Sequence, residues 1–224
     1  MTFARAFEDP PAVWGVGRLV IDGAVTPWPV SEHDIDDEAE SQAPRLAALG
    51  VGAGDLVLVV AMLSQAVHAV PLEKAAGKLG ALYSSADASF GDASRCASLI
   101  RQLEPVAVVG VNGAVLDGLA ALERDVREVF TPVAGRVATA DDVAHGALDA
   151  AGLAPRRWAK LGPTSAWQEE PGGGRLVYDA ERWHADDRDG EIVLTNLVPR
   201  LTRCADLRTG VRGRVPAPGV VELA

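Results

Sequence analysis

Lysine is nearly missing from this sequence: Lys74, Lys78 and Lys160 are the whole set among 224 residues. Acids outnumber Lys and Arg by 31 to 21, the formal charge is −10, and the arginines are scattered. Binding a phosphate backbone needs clustered cations, so no nucleic-acid partner is expected, and for the same reason no anionic membrane surface. Cysteine occurs only as Cys96 and Cys204, with no C-x-x-C pair, which speaks against a disulfide framework or a cysteine-rich zinc site. No segment approaches the ~18 uninterrupted apolar residues of a membrane span. The opening "MTFARAFEDPPAVWG" has no apolar leader core, so a cytoplasmic protein is expected. Aromatics supply only 5% of the chain, leaving Val, Leu and Ala to build its core.

What is present reads as alternating helix and strand. "GRLVIDGAVTPW" places Asp22-Gly23 between short β-prone runs, a hairpin signal. Ser31 suits an N-cap, with the acids of "DIDDEAE" in the first turns as a solvated, dipole-favoured face, and Gly50 as the stop. "GDLVLVVAM" has the length and continuous apolar character of a buried parallel strand. A helix follows to Gly80, with a kink or break expected at Pro71. "SSADASF" reads as a loop, Asp92 as the cap of a third helix, and "PVAVVGV" as a second buried strand. One helix over "AVLDGLAALERDVREVF", a strand near "GRVATA" and a helix over "ADDVAHGALDAAG" complete an α/β pattern with a parallel sheet. After Gly162 the texture becomes β-prone runs split by Gly172-Gly173-Gly174 and Asp189-Gly190, as in antiparallel hairpins. The expectation is an α/β portion over 1–160 and a β-rich portion over 161–224, packed as one continuous domain.

Three segments then carry a resemblance. "LAALGVGAGDLVLVVAMLSQ" through "KLGALYSSADASFGDASRCASLIRQLEPVAVVGV", "LGPTSAWQE" and "DGEIVLTNLVPRLTRCADLRTGVRGRV" occur in that order. Together they resemble adenylate-forming enzymes, the acyl- and aryl-coenzyme A synthetase superfamily, in its phenylacetate-coenzyme A ligase-like branch. The resemblance implies a reduced version of that family's N-terminal domain. It also implies a ligand cleft at Gly162, Thr164, Ser165, Thr209 and Val211, beside which Trp167, Gln168 and Arg208 are further candidate ligand-binding residues.

The departures share a direction. The family's adenine-packing aromatic corresponds to Leu161, its magnesium-placing Glu to Ser165, and its ribose-gripping Asp to Val211. A charge-assisted hydrogen bond to a carboxylate contributes about 1.5–3 kcal/mol, and valine makes none. No Ser/Thr/Gly-rich phosphate loop lies between Val111 and Leu161, and no Lys follows Lys160 to serve a catalytic lid. The expected protein is a degenerate ligase relative that binds a small acyl or aryl ligand, or a protein partner, without adenylating. No cofactor is expected, with ATP and coenzyme A admitted only if a partner completes the site. Two alternatives stand beside this: a subunit of a split ATP-dependent ligase, and an enzyme of different chemistry using Cys204, His184 or Glu191. Apolar surface left by the reduced fold points to a homodimer or a partner subunit.

Other constellations read more simply. "GVGAGD" precedes a strand, whereas a dinucleotide fingerprint follows one, and "PGGGR" leads into a strand rather than a helix. "HADDRDGE" lacks the spacing of a calcium loop, so no metal is expected. Cys96 and Cys204 are the candidate thiols, with His33, His68, His145 and His184 as possible bases; His68, mid-helix, suits a core position. Trp158, Trp167, Tyr178 and Trp183 either fill the core or line a pocket for a planar ligand, with Gln168, Glu169 or Arg208 as its polar anchors.

Overall fold

The computed structural model describes residues 12–21 and 24–224. Strands β1 (Val13–Ile21) and β2 (Ala24–Ser31) pair antiparallel, Ile21 opposite Ala24, as the hairpin signal requires. The turn residues Asp22 and Gly23 themselves lie outside the described residues. The hairpin turns Leu19 and Val30 inward and leaves Val16, Val20 and Val25 exposed.

Helix α1 (Glu32–Ala48) starts where its sequence says it should. Ser31 Oγ accepts from the Asp34 amide at 3.1 Å, and the Asp34 carboxylate accepts from the Ser31 amide at 2.8 Å, a reciprocal capping box. Gly50, at φ 86, ends it. Strands β3 (Leu56–Val60), β4 (Leu82–Ala86), β5 (Ala107–Val111), β6 (Val137–Thr139) and β7 (Arg156–Leu161) form a parallel sheet in the order β4-β3-β5-β6-β7. In chain order that is 2-1-3-4-5, a doubly wound arrangement. Strand alternation then divides the core. Val57, Val59 and Val109 face α1 and α2 (Ala66–Lys78), whose Leu46, Leu72, Ala75 and Ala76 cover them. Leu58, Val60 and Val108 face α3 (Ala93–Leu103), α4 (Gly113–Ala121), α5 (Val126–Phe130) and α6 (Asp142–Ala150) through Cys96, Ile100, Leu119, Phe130 and Leu148.

Strand β7 carries the sheet past residue 160. It is parallel to β6 and antiparallel to β8 (Thr164–Gln168), which leads on through β9 (Arg175–Val177), β13 (Val220–Leu223), β12 (Leu207–Ala217), β11 (Glu191–Asn196) and β10 (Trp183–Arg188). One eleven-stranded sheet results. Asp189-Gly190 close β10 to β11 at φ 55 and 74, the paired positive angles of a type I′ turn.

Four expectations are corrected. The helix does not break at Pro71: α2 runs through it, because Leu72, Ala75 and Ala76 are fully buried beyond the lost hydrogen bond. The first three residues of "SSADASF", Ser84 to Ala86, are not loop but complete the edge strand β4, whose polar Ser84 and Ser85 conceal its pattern. The helix expected over 114–130 splits, with Glu123 left-handed at φ 55 and Asp125 capping α5 through the Arg127 amide at 2.7 Å. The acidic run of α1 is not solvated throughout. Asp34 and Glu38 are buried, and Glu38 meets Arg200 at 2.7 Å.

Candidate functional site

Gly110 fixes the carboxyl end of the central strands. Its φ is 99, and a Cβ there would overlap the Val60 carbonyl oxygen. Only glycine lets β3 and β5 approach so closely beside the bulge that follows Val109. Past Val60 the chain turns through Met62, Ser64 and Gln65 into α2, and this turn forms one wall of a cavity of about 490 Å³. Arg18, Leu19 and Val20 of β1 form a second wall. The third comes from Lys160 and Gly162 at the end of β7 and Thr209, Gly210 and Val211 of β12. Gly162, at φ 53, is the first residue of the two-residue turn joining β7 to β8.

Among the described residues, three charged or titratable side chains line the cavity: Arg18, His68 and Lys160. His68 Nε2 lies 2.8 Å from the Gly162 carbonyl, and since a carbonyl only accepts, Nε2 carries the proton. Its Nδ1 is buried, with no hydrogen-bond partner among the described residues. Burial, and then the charge of Lys160, push the imidazole down to about 3, so it is neutral at physiological pH. Lys160 Nζ donates to Gln65 Oε1 at 2.9 Å and lies 5.2 Å from the centre of the Trp158 ring. Burial lowers this ammonium to about 8, opposed by the field of Asp141.

His68 therefore ties stability to pH. The unfolded imidazole takes up a proton below about 6.5 while the folded one resists down to about 3, so stability falls as pH drops through that window. Between pH 7.5 and 5 the His68-dependent loss should be about 2 kcal/mol. Urea titrations of wild type and His68→Gln at both pH values measure it, and equal losses in the two proteins would refute the assignment.

The residues singled out from the sequence separate into groups. Gly162, Thr209 and Val211 line the cavity. Thr164 Oγ1 instead donates to Glu38 at 2.9 Å, and Trp167 Nε1 and Ser165 Oγ to Gln42 Oε1 at 2.6 and 3.3 Å. Gln168 accepts from the Arg157 amide at 2.9 Å and donates to the Gly173 carbonyl. Arg208 is held by Glu191 at 2.7 Å. Trp158, Trp167, Tyr178 and Trp183 are all buried, the core-filling one of the two roles open to them.

Cys204, His184 and Glu191 do not assemble into a reactive set. Cys204 Sγ donates to the Leu194 carbonyl at 3.3 Å, and burial pushes its thiol up to about 11. His184 is exposed on β10 opposite Thr195. Glu191 accepts from the Gly210 amide at 2.8 Å and from Arg208, which hold it below the usual carboxylate range. Among the described residues no cluster of His, Cys, Asp and Glu could hold a metal ion, and no helix is long and apolar enough to cross a membrane. Gln65 and Lys160 did not stand out in the sequence. The one available signal was that Lys160 is the only lysine in the second half of the chain.

A larger cleft of about 680 Å³ lies at the opposite, amino end of the strands, beside α3 and α5. Its Arg101, Arg124 and Arg136 are interleaved with Asp55, Glu104 and Glu128, so its lining has no net sign to select a ligand. Doubly wound sheets bind ligands outside the carboxyl ends of their strands, where the smaller cavity sits.

No protein-family model and no curated protein matches this chain. Solved structures do. An open conformation of 2-hydroxyisobutyryl-CoA ligase, in complex with 2-HIB-AMP and CoA, superposes with a TM-score of 0.69 at 16% identity. It takes in 94% of this chain and 56% of its own. The fold is that of acyl- and aryl-CoA ligases. An anthranilate CoA ligase in complex with anthranoyl-AMP shares this ligase fold at TM-score 0.64 and 14% identity, over 94% of this chain and 46% of its own. So does a double mutant of o-succinylbenzoate CoA synthetase from Bacillus subtilis, at 0.67 and 12%, over 95% and 49%. The chain spans about half the length of these ligase structures. Within the ligase fold, the stretch resembling the family's nucleotide signature is β12, and its Val211 borders the cavity beside Thr209.

Proposed function

We propose that this chain binds a small acyl or aryl carboxylate in the His68–Lys160 cavity and does not by itself adenylate it. The observation that carries the reading is Lys160. It is a largely buried ammonium with a neutral amide as its hydrogen-bond acceptor, facing a cavity whose other walls include Leu19, Val20, Met62 and Val211. A cation so placed favours a small anion with an apolar body. The ligase fold supports the ligand class, since the solved relatives hold acyl and aryl adenylates. Valine at 211 and serine at 165, where the resemblance expects carboxylates for ribose and magnesium, support the absence of adenylation. Ser165 lies outside the cavity lining, hydrogen-bonded to Gln42, and supplies no carboxylate to the site.

Calorimetric titration with benzoate tests this. Lys160→Met should weaken binding at least roughly tenfold, the worth of one charge-assisted contact. Equal affinity in the two proteins would remove Lys160 from the site.

A further inference from the structure

We propose that Lys160 is also an amine nucleophile, forming a reversible imine with a small aldehyde or ketone admitted to the cavity. The claim rests on that cavity being the ligand site.

The three lysines are unlike one another. Lys74 pairs with Asp36 at 2.9 Å and Glu32 at 3.4 Å, and Lys78 pairs with Glu40 at 2.6 Å. Among the described residues Lys160 has no ion pair: its ammonium carries three N–H groups, and the hydrogen bond it makes is to Gln65 Oε1. A protonated imine carries a single N–H, which that one acceptor satisfies. Its positive charge would remain over the Trp158 ring, as the ammonium's does now. An amide formed by acylation would also present one N–H but would forfeit the charge and with it the ring contact, so the geometry favours a carbonyl compound over an acyl donor. The carbonyl substituent would lie against Leu19, Val20, Met62 and Val211.

The chemistry balances without an oxidant. The amine lone pair forms a bond to the carbonyl carbon, the two amine hydrogens leave with the carbonyl oxygen as water, and one proton taken up gives the iminium. The charged and titratable groups facing this nitrogen are His68 from α2, Arg18 from β1 and Asp141 before α6. Burial outweighs Asp141 and holds the ammonium near 8, so roughly a tenth of Lys160 is free amine at pH 7.

The scarcity of lysine makes the test clean. The protein is incubated with benzaldehyde and cyanoborohydride at pH 7, and the reduced adducts are mapped by peptide mass spectrometry. Lys160 should be modified at least ~10-fold faster than Lys74 and Lys78, with a rate that rises through a midpoint near pH 8. Lys160→Arg should lose that adduct and keep the others. Modification of Lys160 no faster than of Lys74 and Lys78 in the wild-type protein overturns the proposal, whatever the variant does. Benzoate, which cannot form an imine, separates the two claims. If benzoate binds and Lys160 is slow, the nucleophile fails and the ligand site stands. If Lys160 is fast and benzoate neither binds nor slows it, the nucleophile stands and the carboxylate site fails.

Discussion

Arg200→Met is expected to destabilise the protein by about 3–5 kcal/mol, because it strands a buried carboxylate. Arg200 and Glu38 are each about 5% exposed and meet at 2.7 Å. Arg200 also reaches Asp37 at 2.5 Å and the Asp34 carbonyl at 3.1 Å, and its guanidinium lies 4.8 Å from the centre of the Trp183 ring. Glu38 in turn accepts from Trp183 Nε1 at 2.7 Å and Thr164 Oγ1 at 2.9 Å. The cluster thus joins α1, β8, β10 and the segment between β11 and β12. Burial raises the Glu38 carboxyl above its ordinary range even against the opposing charge of Arg200. Removing that charge raises it further, so the folded variant binds a proton that the unfolded chain does not. Stability then falls with rising pH, and the deficit of the variant should grow from pH 5 to pH 8. The double variant Arg200→Met, Glu38→Gln should recover much of the loss. Urea denaturation of the three proteins decides the matter, and a single-variant deficit below about 1 kcal/mol would show that the pair is not a buried one.

Gly110→Ala should cost roughly 3 kcal/mol or more, combining a left-handed backbone position with displacement of a neighbouring strand. At φ 99 an alanine is strained, and its Cβ would overlap the Val60 carbonyl oxygen. The strand β3 must move away, and the turn that carries Gln65 moves with it. Benzoate affinity should therefore fall together with stability. Gly77, in α2 with nothing within 4 Å of an added Cβ, is the contrast. Gly77→Ala should stabilise by about 0.5–1 kcal/mol, the ordinary helical preference for alanine over glycine. Similar losses for both variants would remove the special role of Gly110.

Much of the framework is legible because local chemistry and tertiary fold agree. Ser31 and Asp34 form the capping box that their spacing allows, Asp189-Gly190 make a tight turn, and the apolar runs 56–60 and 107–111 are central parallel strands. The failures arise where partners distant in sequence decide. Ser84 and Ser85 belong to a strand because β3 offers it hydrogen bonds, not because of any pattern of their own. Asp37 and Glu38 look like solvated acids until Arg200, more than 160 positions later, folds onto them. The site shows the same division. Resemblance marks Gly162, Thr209 and Val211, which border the cavity. It gives no hint of His68 or Lys160, whose proximity depends on β7 ending beside the first turn of α2. Thr164, Ser165 and Trp167 turn toward α1 because Glu38 and Gln42 present acceptors there.

A cavity lined by the cations Lys160 and Arg18, with no carboxylate among its described lining residues, leads to a direct measurement. Thermal unfolding of wild type and Lys160→Met is followed with benzoate, with ATP–magnesium and with coenzyme A. The account predicts that benzoate raises the wild-type transition and leaves the variant unmoved, while ATP–magnesium shifts neither. A clear stabilisation of the wild-type chain by sub-millimolar ATP–magnesium would contradict it, and would mean that Val211 and Ser165 stand in a working nucleotide site.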